Sequence, residues 1–168
     1  MVFDPYLFFN LIRSEKSNSW SLRAVLAHEF AHQLQVWRND PVLYKEKNKR
    51  PFVRDKELQA DCAAAAILTR VHREGNYEKD ANEKNMPFED ALRNAFASIG
   101  DFELGALEGH HGTAYERALM VPVGQRIAAD ILAKKDQSAT AILQACGDYI
   151  NAMNKKFADD LWPIGSKL

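Results

Sequence analysis

The stretch His28-Glu29-Phe30-Ala31-His32 places two histidines four residues apart, with a glutamate directly after the first. Because one helical turn separates positions i and i+4, both imidazoles leave the same face of a helix and can bind one metal ion. Glu29 lies about 100° further round such a helix, where it is poorly placed as a ligand but can reach a water in an open coordination position. The stretch therefore predicts a helix that holds a catalytic zinc, with His28 and His32 as ligands and Glu29 as general base.

The flanking residues are apolar on nearly every side of this predicted helix, from Ser21 to Trp37. A helix of that pattern is expected to be buried. Burying two imidazoles and a carboxylate without partners would be costly, and a metal ion removes that cost. The alternative interpretation is a core helix whose histidines are satisfied by hydrogen bonds alone.

A third ligand is expected downstream, in Glu57-Leu58-Gln59-Ala60-Asp61. Glu57 and Asp61 are again four residues apart, so their carboxylates share one helical face. We expect Glu57 to bind the ion and Asp61 to accept the second ring N–H of a ligand histidine, with His28 as its partner. The alternative is a solvated acidic turn at the start of a helix, where carboxylates favour the macrodipole.

These residues resemble the bacterial neutral zinc metallopeptidases, a family of the gluzincin class. The resemblance rests on residues 28–35, on residues 57–62, and on residues 98–101 together with 111–117. It implies a mainly α, zincin-like helical core with two histidines and a glutamate on Zn²⁺, and an enzyme that hydrolyses peptide bonds in a peptide or protein substrate. The chain departs from the usual residues of the family at four positions, none of them a proposed ligand or the base: Ala31, Gln33, Ala114 and Glu116.

A further donor to the reacting carbonyl oxygen is expected near residue 111. Thr113-Ala114-Tyr115-Glu116 has the pattern of a capping box, and a helix N-terminus favours anions. We therefore expect His111 as a catalytic donor, with Tyr115 and Arg117 as substrate or oxyanion contacts behind it. The alternative leaves Tyr115 in the core, Arg117 paired with an acid and His111 as a loop residue.

Two other functions fit parts of the pattern. Residues 29–32 and 108–111 are each Glu-x-x-His, the motif of di-iron carboxylate helix bundles, although three glycines crowd the second one. A catalytically silent binding domain stabilised by zinc is the other alternative. Glu29 argues against that domain, because a purely structural site is closed by a fourth protein ligand.

Length and composition are those of a single domain spanning residues 1–168, with 46% hydrophobic and 27% charged residues. A formal net charge of −1 gives no support for nucleic-acid binding.

Cys62 and Cys146 form no CxxC pair, which excludes a cysteine zinc site. With only these two cysteines, we do not expect a disulfide framework. The sequence shows neither a membrane-spanning apolar run nor the pattern of a signal peptide, so it predicts a soluble chain of unknown compartment. Only 27 residues precede His28, whereas members of the resembled family are often longer on this side. We therefore expect the chain to be a fragment of a longer protein.

The predicted architecture is mainly α, with at most a small N-terminal edge strand or sheet. Val2–Phe9 is predicted as that strand, and the hypothesis is that it pairs with the backbone of an extended substrate. The alternative is a mobile terminus with a few buried aromatic residues. The predicted helices run from Ser19 or Ser21 to about Trp37 or Arg38, from Asp55 to near Gly75, from Pro87 to around Ile99 or Gly100, from Thr113 onward, and from Asp136 or Ser138 to about Asp160. Pro122 is predicted to interrupt the fourth helix, and His72 to lie on the surface.

Overall fold

The computed structural model describes residues 19–38, 53–75, 87–98, 112–133 and 137–161. Helices make up 93% of these residues and none is in a strand, which confirms the mainly α class. The helices are α1 (Ser19–Arg38), α2 (Val53–Glu74), α3 (Phe88–Ser98), α4 (Ala114–Leu132) and α5 (Ala139–Leu161). The predicted edge strand at Val2–Phe9 lies outside the described residues.

Helix α2 is the centre of the packing, in contact with α1, α4 and α5. Its residues 58–66 are all buried, and five of them are alanines. Alanine has the highest helix propensity and a side chain small enough to let neighbouring helices approach from several sides. Helix α2 thus contributes to two hydrophobic clusters, one shared with α1, α4 and α5, and the other with α1, α3 and α4.

Helix α4 makes the closest approach to α2, at Gly124. A Cβ added there would lie 2.5 Å from the carbonyl oxygen of Cys62 and 2.7 Å from the Cβ of Ala65. Helix α4 continues through Pro122, where the prediction of an interruption is wrong. Buried residues on both sides of the proline, including Val121 and Ile127, pack in the core and outweigh the lost backbone hydrogen bond.

The helix ends follow local signals in the sequence. Thr113 caps α4 through a reciprocal capping box with Glu116, as predicted. Ser138 caps α5 by accepting a hydrogen bond from the backbone N–H of Ala141. Helix α2 ends at Gly75, whose φ of 69° suits glycine at a helix C-terminus. It begins two residues earlier than predicted, so Asp55 lies within its first turn.

Two expectations about burial are wrong. Helix α1 is buried on one side only, and its outer face carries exposed apolar residues: Leu26, Phe30, Val36 and Trp37. His72 is half-buried rather than on the surface, because its ring stacks on Phe88 with the centroids 4.2 Å apart.

Cys62 and Cys146 form a disulfide between α2 and α5, contrary to the expectation from the sequence. Asn154 Nδ2 also donates to Asp55 Oδ2 at 3.0 Å. Asp55 precedes Cys62 in α2, whereas Asn154 follows Cys146 in α5. The two links together show that α2 and α5 run antiparallel. Their partners are far apart in sequence, so the spacing of the two cysteines did not reveal the pair.

Among the described helices, none combines the length and the apolar character needed to cross a membrane.

We expect the disulfide to be a major part of the stability of the fold. It closes a loop with a sequence separation of 84 residues. In the chain-entropy treatment a loop of this length stabilises the folded state by about 4.5 kcal/mol. The Cys62→Ala/Cys146→Ala variant should therefore show a urea midpoint well below that of the oxidised protein, and close to that of the protein reduced with dithiothreitol. A midpoint unchanged by both treatments would contradict the expectation.

Candidate metal centre

Three side chains from α1 and α2 converge on one point. His28 Nε2 lies 3.2 Å from Glu57 Oε2, and His32 Nε2 lies 3.4 Å from Glu57 Oε1. The two Nε2 atoms are 2.9 Å apart. Among the described residues these three form the set that could hold a metal ion. The structure thus brings together the three ligands expected from the sequence.

The outer nitrogen of His28 is held by a buried carboxylate. His28 Nδ1 donates a hydrogen bond of 2.8 Å to Asp61 Oδ1. Because a carboxylate only accepts, the proton of neutral His28 lies on Nδ1 and the lone pair on Nε2 faces Glu57. Asp61 occupies the position expected of it, one turn after Glu57 on α2.

The outer nitrogen of His32 is held by an amide. His32 Nδ1 lies 2.8 Å from Gln35 Oε1. The amide group of Gln35 is oriented by its other end, because Nε2 donates to the carbonyl of Lys56 at 2.9 Å, and a carbonyl only accepts. His32 Nδ1 must then be the donor to Gln35, and its Nε2 lone pair also faces the common point.

Two imidazole lone pairs and a carboxylate therefore meet at this point, and none of the three is a hydrogen-bond donor. Acceptors can lie this close only if a proton or a metal ion lies between them. In the metal-free protein a proton takes this role. Burial alone would lower the pKa of His28, but hydrogen bonds to Asp61 and Glu57 outweigh it and raise the pKa to about 9. Burial alone would raise the pKa of Glu57, because it disfavours the charged carboxylate. Hydrogen bonds with His28 and His32 outweigh this effect and hold the pKa of Glu57 well below its usual range. The point favours positive charge.

Each ring nitrogen faces its own oxygen of Glu57, His28 the Oε2 atom and His32 the Oε1 atom, at a spacing close to that between neighbouring ligand atoms of a tetrahedral zinc site. Zinc bonds of about 2.0 to 2.2 Å at tetrahedral angles separate neighbouring ligand atoms by about 3.4 Å. The two contacts to Glu57 match this value, and the two nitrogens need to move apart by about half an ångström. Two imidazoles and one carboxylate are a donor set that suits Zn²⁺.

Arg117 is buried beneath the ligands, in contact with Asp61. Its Nε and Nη2 donate to the two oxygens of Asp61 at 2.7 and 2.9 Å, and only 2% of Arg117 is exposed. Nη2 also lies 3.5 Å from Glu57 Oε2. The geometry favours the alternative from the sequence, in which Arg117 pairs with an acid. Buried in this way, the guanidinium contacts Asp61 and Glu57 from within the fold.

The other candidate residues lie around this centre or outside the described ranges. Glu29 is half-buried on α1, next to His28, and is not one of the converging ligands. Tyr115 lies in the first turn of α4 and is 73% exposed. This exposure disagrees with the alternative interpretation of the sequence, in which Tyr115 is a core residue. His111 lies outside the described residues, so its expected role stays a prediction.

Sequence reasoning missed Gln35, Gln59 and the disulfide partner of Cys62. Gln35 follows His32 by three residues, the spacing of neighbours on one helical face, and this was the one signal available. Gln59 lies between Glu57 and Asp61 but reaches across to Gln35 and to the carbonyl of Leu143 in α5. No local pattern marks such a contact between distant segments.

Comparison of the chain with protein-family models, with curated proteins and with solved structures found no match in any of the three.

The stability of the metal-free protein should fall as the pH rises. The pKa of His28 is raised from about 6.5 to about 9, so the folded state binds this proton more tightly than the unfolded chain does. This contribution is fully present below pH 6.5 and is lost as the pH rises through about 9. It amounts to roughly 3 kcal/mol at most. Urea denaturation in EDTA, at a series of pH values across this window, measures it.

The matched controls for this pH dependence are His28→Gln, which should remove it, and His72→Gln, which should keep it. Saturating zinc should remove it as well, because the metal displaces the proton. A metal-free stability that rises over the same pH window would contradict the expectation.

Loss of Arg117 should be far more damaging than loss of a comparable surface arginine. Arg117→Gln leaves the carboxylate of Asp61, which is 0% exposed, without its cation, and such a change costs about 3 to 5 kcal/mol. The control is Arg54→Gln, because Arg54 also binds a carboxylate, Glu116, with a side chain that is 29% exposed. It should cost about 1 kcal/mol or less. Equal losses in the free energies of unfolding would show that burial of the pair does not matter.

Proposed function

We propose that this chain is a zinc-dependent metallopeptidase of the gluzincin type. The observation that carries the proposal is the convergence of His28 Nε2, His32 Nε2 and Glu57 on one point, with both Nδ1 protons engaged elsewhere. Three protein ligands leave a fourth tetrahedral position open, as in catalytic zinc sites and unlike closed structural ones. The same three positions are the ligands implied by the resemblance to the bacterial neutral zinc metallopeptidases.

Zinc at this point would supply a Lewis acid and lower the pKa of a water in the open position to about 7. Glu29 follows His28 directly on α1 and is half-buried. In the proposed reaction a carboxylate oxygen of Glu29 accepts a proton from the attacking water and passes it to the leaving amine. Asp61 holds His28 in the Nδ1-protonated form throughout, and Arg117 holds Asp61.

The proposed substrate is a peptide or protein, as the resemblance implies. The exposed ring of Tyr115 stands in the first turn of α4, two residues before Arg117, and is available to contact such a substrate. His111 completes the proposal as the donor to the carbonyl oxygen. A net charge of −1 gives no reason to propose a nucleic-acid partner.

The disulfide between Cys62 and Cys146 favours a site of action outside the reducing cytosol. Disulfides persist in secreted, periplasmic and extracellular proteins, and they are rare where thiols are kept reduced.

The Glu29→Gln variant tests the reaction. The neutral amide that it introduces cannot accept the proton, so hydrolysis of a peptide library by the zinc-loaded variant should fall by about 100-fold to 10,000-fold. Zinc content, measured by mass spectrometry, should stay at one ion per chain, because Glu29 is not one of the converging ligands. The control is Glu57→Gln, which should lose both zinc and activity.

Other results would reject the proposal. Full activity of Glu29→Gln would remove the general base, and inactivity of the zinc-loaded wild type would favour a silent zinc-stabilised domain. Two irons per chain would favour the di-iron bundle instead.

A further inference from the structure

A chain of two amides runs from the metal centre to the far side of the fold. Gln35 Oε1 accepts from His32 Nδ1, and Gln35 Nε2 donates to Gln59 Oε1 at 2.7 Å. Gln59 Nε2 then donates to the carbonyl of Leu143 in α5 at 3.0 Å. The chain crosses three helices, from α1 through α2 to α5.

Each amide in this chain can point in one direction only. The carbonyl of Leu143 accepts, so it must face Nε2 of Gln59 and leave Oε1 toward Gln35. Gln35 is oriented in the same sense by Gln59 and by the carbonyl of Lys56. Both glutamines are buried, Gln59 completely, so solvent does not compete for these bonds. The direction of donation is therefore set by two backbone carbonyls, that of Lys56 directly and that of Leu143 through Gln59, and is passed to His32.

We propose that Gln35 is a positioning residue for the metal ligand His32, and that Gln59 acts through Gln35 by fixing the direction of its amide. This inference rests on the proposed zinc site and deepens it. The two amides assign the Nδ1–H tautomer to His32 and aim its Nε2 at Glu57, as Asp61 does for His28. His28 is thus held by a carboxylate, and His32 by the hydrogen-bonded pair of neutral amides Gln35 and Gln59, which we call the amide relay.

The effect should appear in metal affinity, measured without any substrate. Groups that orient a ligand histidine typically contribute 10-fold to 100-fold to metal affinity or activity. Gln35→Met is similar in size but offers His32 no acceptor, so the dissociation constant for Zn²⁺ should rise by about 10-fold to 100-fold. The visible spectrum of the Co²⁺-loaded variant should also shift, because the ring of His32 loses its fixed orientation.

A conservative variant separates positioning from packing. Gln35→Glu keeps an oxygen facing His32 Nδ1 but loses the donors to Lys56 and Gln59, so it should be less stable while binding Zn²⁺ within about threefold of wild type. The matched control is Gln33→Met, an exposed glutamine on the same helix, which should change neither affinity nor stability. If Gln35→Met does not fold, Gln35→Asn replaces it, because the shorter side chain withdraws its oxygen from His32.

A double-mutant cycle tests the order of the relay. Gln59→Met alone should weaken Zn²⁺ binding, but in the Gln35→Met background it should add little, because its route to His32 is already cut. The proposal is overturned if Gln35→Met binds Zn²⁺ like wild type, if Gln35→Glu is as weak as Gln35→Met, or if the effect of Gln59→Met is the same in both backgrounds.

These results are separable from the proposed function. The affinity pattern in a protein that hydrolyses no peptide would reject the peptidase and leave the relay standing. If the protein is an active peptidase but its affinity for Zn²⁺ does not change when Gln35 is replaced, only the role of the two amides is rejected. A wild-type protein that binds neither Zn²⁺ nor Co²⁺ would reject both.

Discussion

Three acceptors share one point between α1 and α2, and the described structure is arranged to keep them there. Each imidazole has its Nδ1 proton committed, one to Asp61 and one to Gln35, so neither can turn a donor toward Glu57 without taking up a second proton. Lone pairs this close repel one another unless positive charge lies between them. The high pKa of His28, about 9, expresses the same demand in the metal-free state.

Helix α2 meets this demand with residues on several of its sides. Glu57 faces the histidines, Asp61 lies between His28 and Arg117, and Gln59 joins Gln35 to α5. A helix that presents polar groups in three directions needs neighbours on all of them, and the alanines at positions 60 and 63–66 let those neighbours approach closely. Gly124 lets α4 approach α2 closely, and Arg117 on the same helix forms the buried pair with Asp61.

The sequence was a good guide wherever the signal was local. The helical spacing of His28 with His32, and of Glu57 with Asp61, predicted which side chains meet, because i and i+4 always share a face. The capping box at Thr113 and the end of α2 at Gly75 were read from the same kind of short pattern.

The contacts that sequence reasoning missed join distant segments. The bond of Gln59 to Leu143 and the disulfide of Cys62 with Cys146 have no periodicity, and their partners become visible only once α5 packs on α2. Pro122 shows the same limit in reverse, since packing on both sides of the proline outweighed a strong local preference against helix. Helix α1 looked buried from its composition, yet nothing local showed that Trp37 is 79% exposed.

The energetics of the buried polar groups argue that they serve a site rather than the fold. Replacing a buried ion pair such as Arg117 with Asp61 by apolar residues of similar volume is often neutral or stabilising, because the charges lose hydration that their attraction barely repays. The amides of Gln35 and Gln59 gain little net stability for the same reason. Asp61 and Gln35 contact the two histidines directly. Arg117 and Gln59 in turn hold Asp61 and Gln35 in the orientation that these contacts need. A core built for stability alone has no need of such an arrangement, whereas the proposed metal centre would use each of these groups to hold a histidine in one orientation.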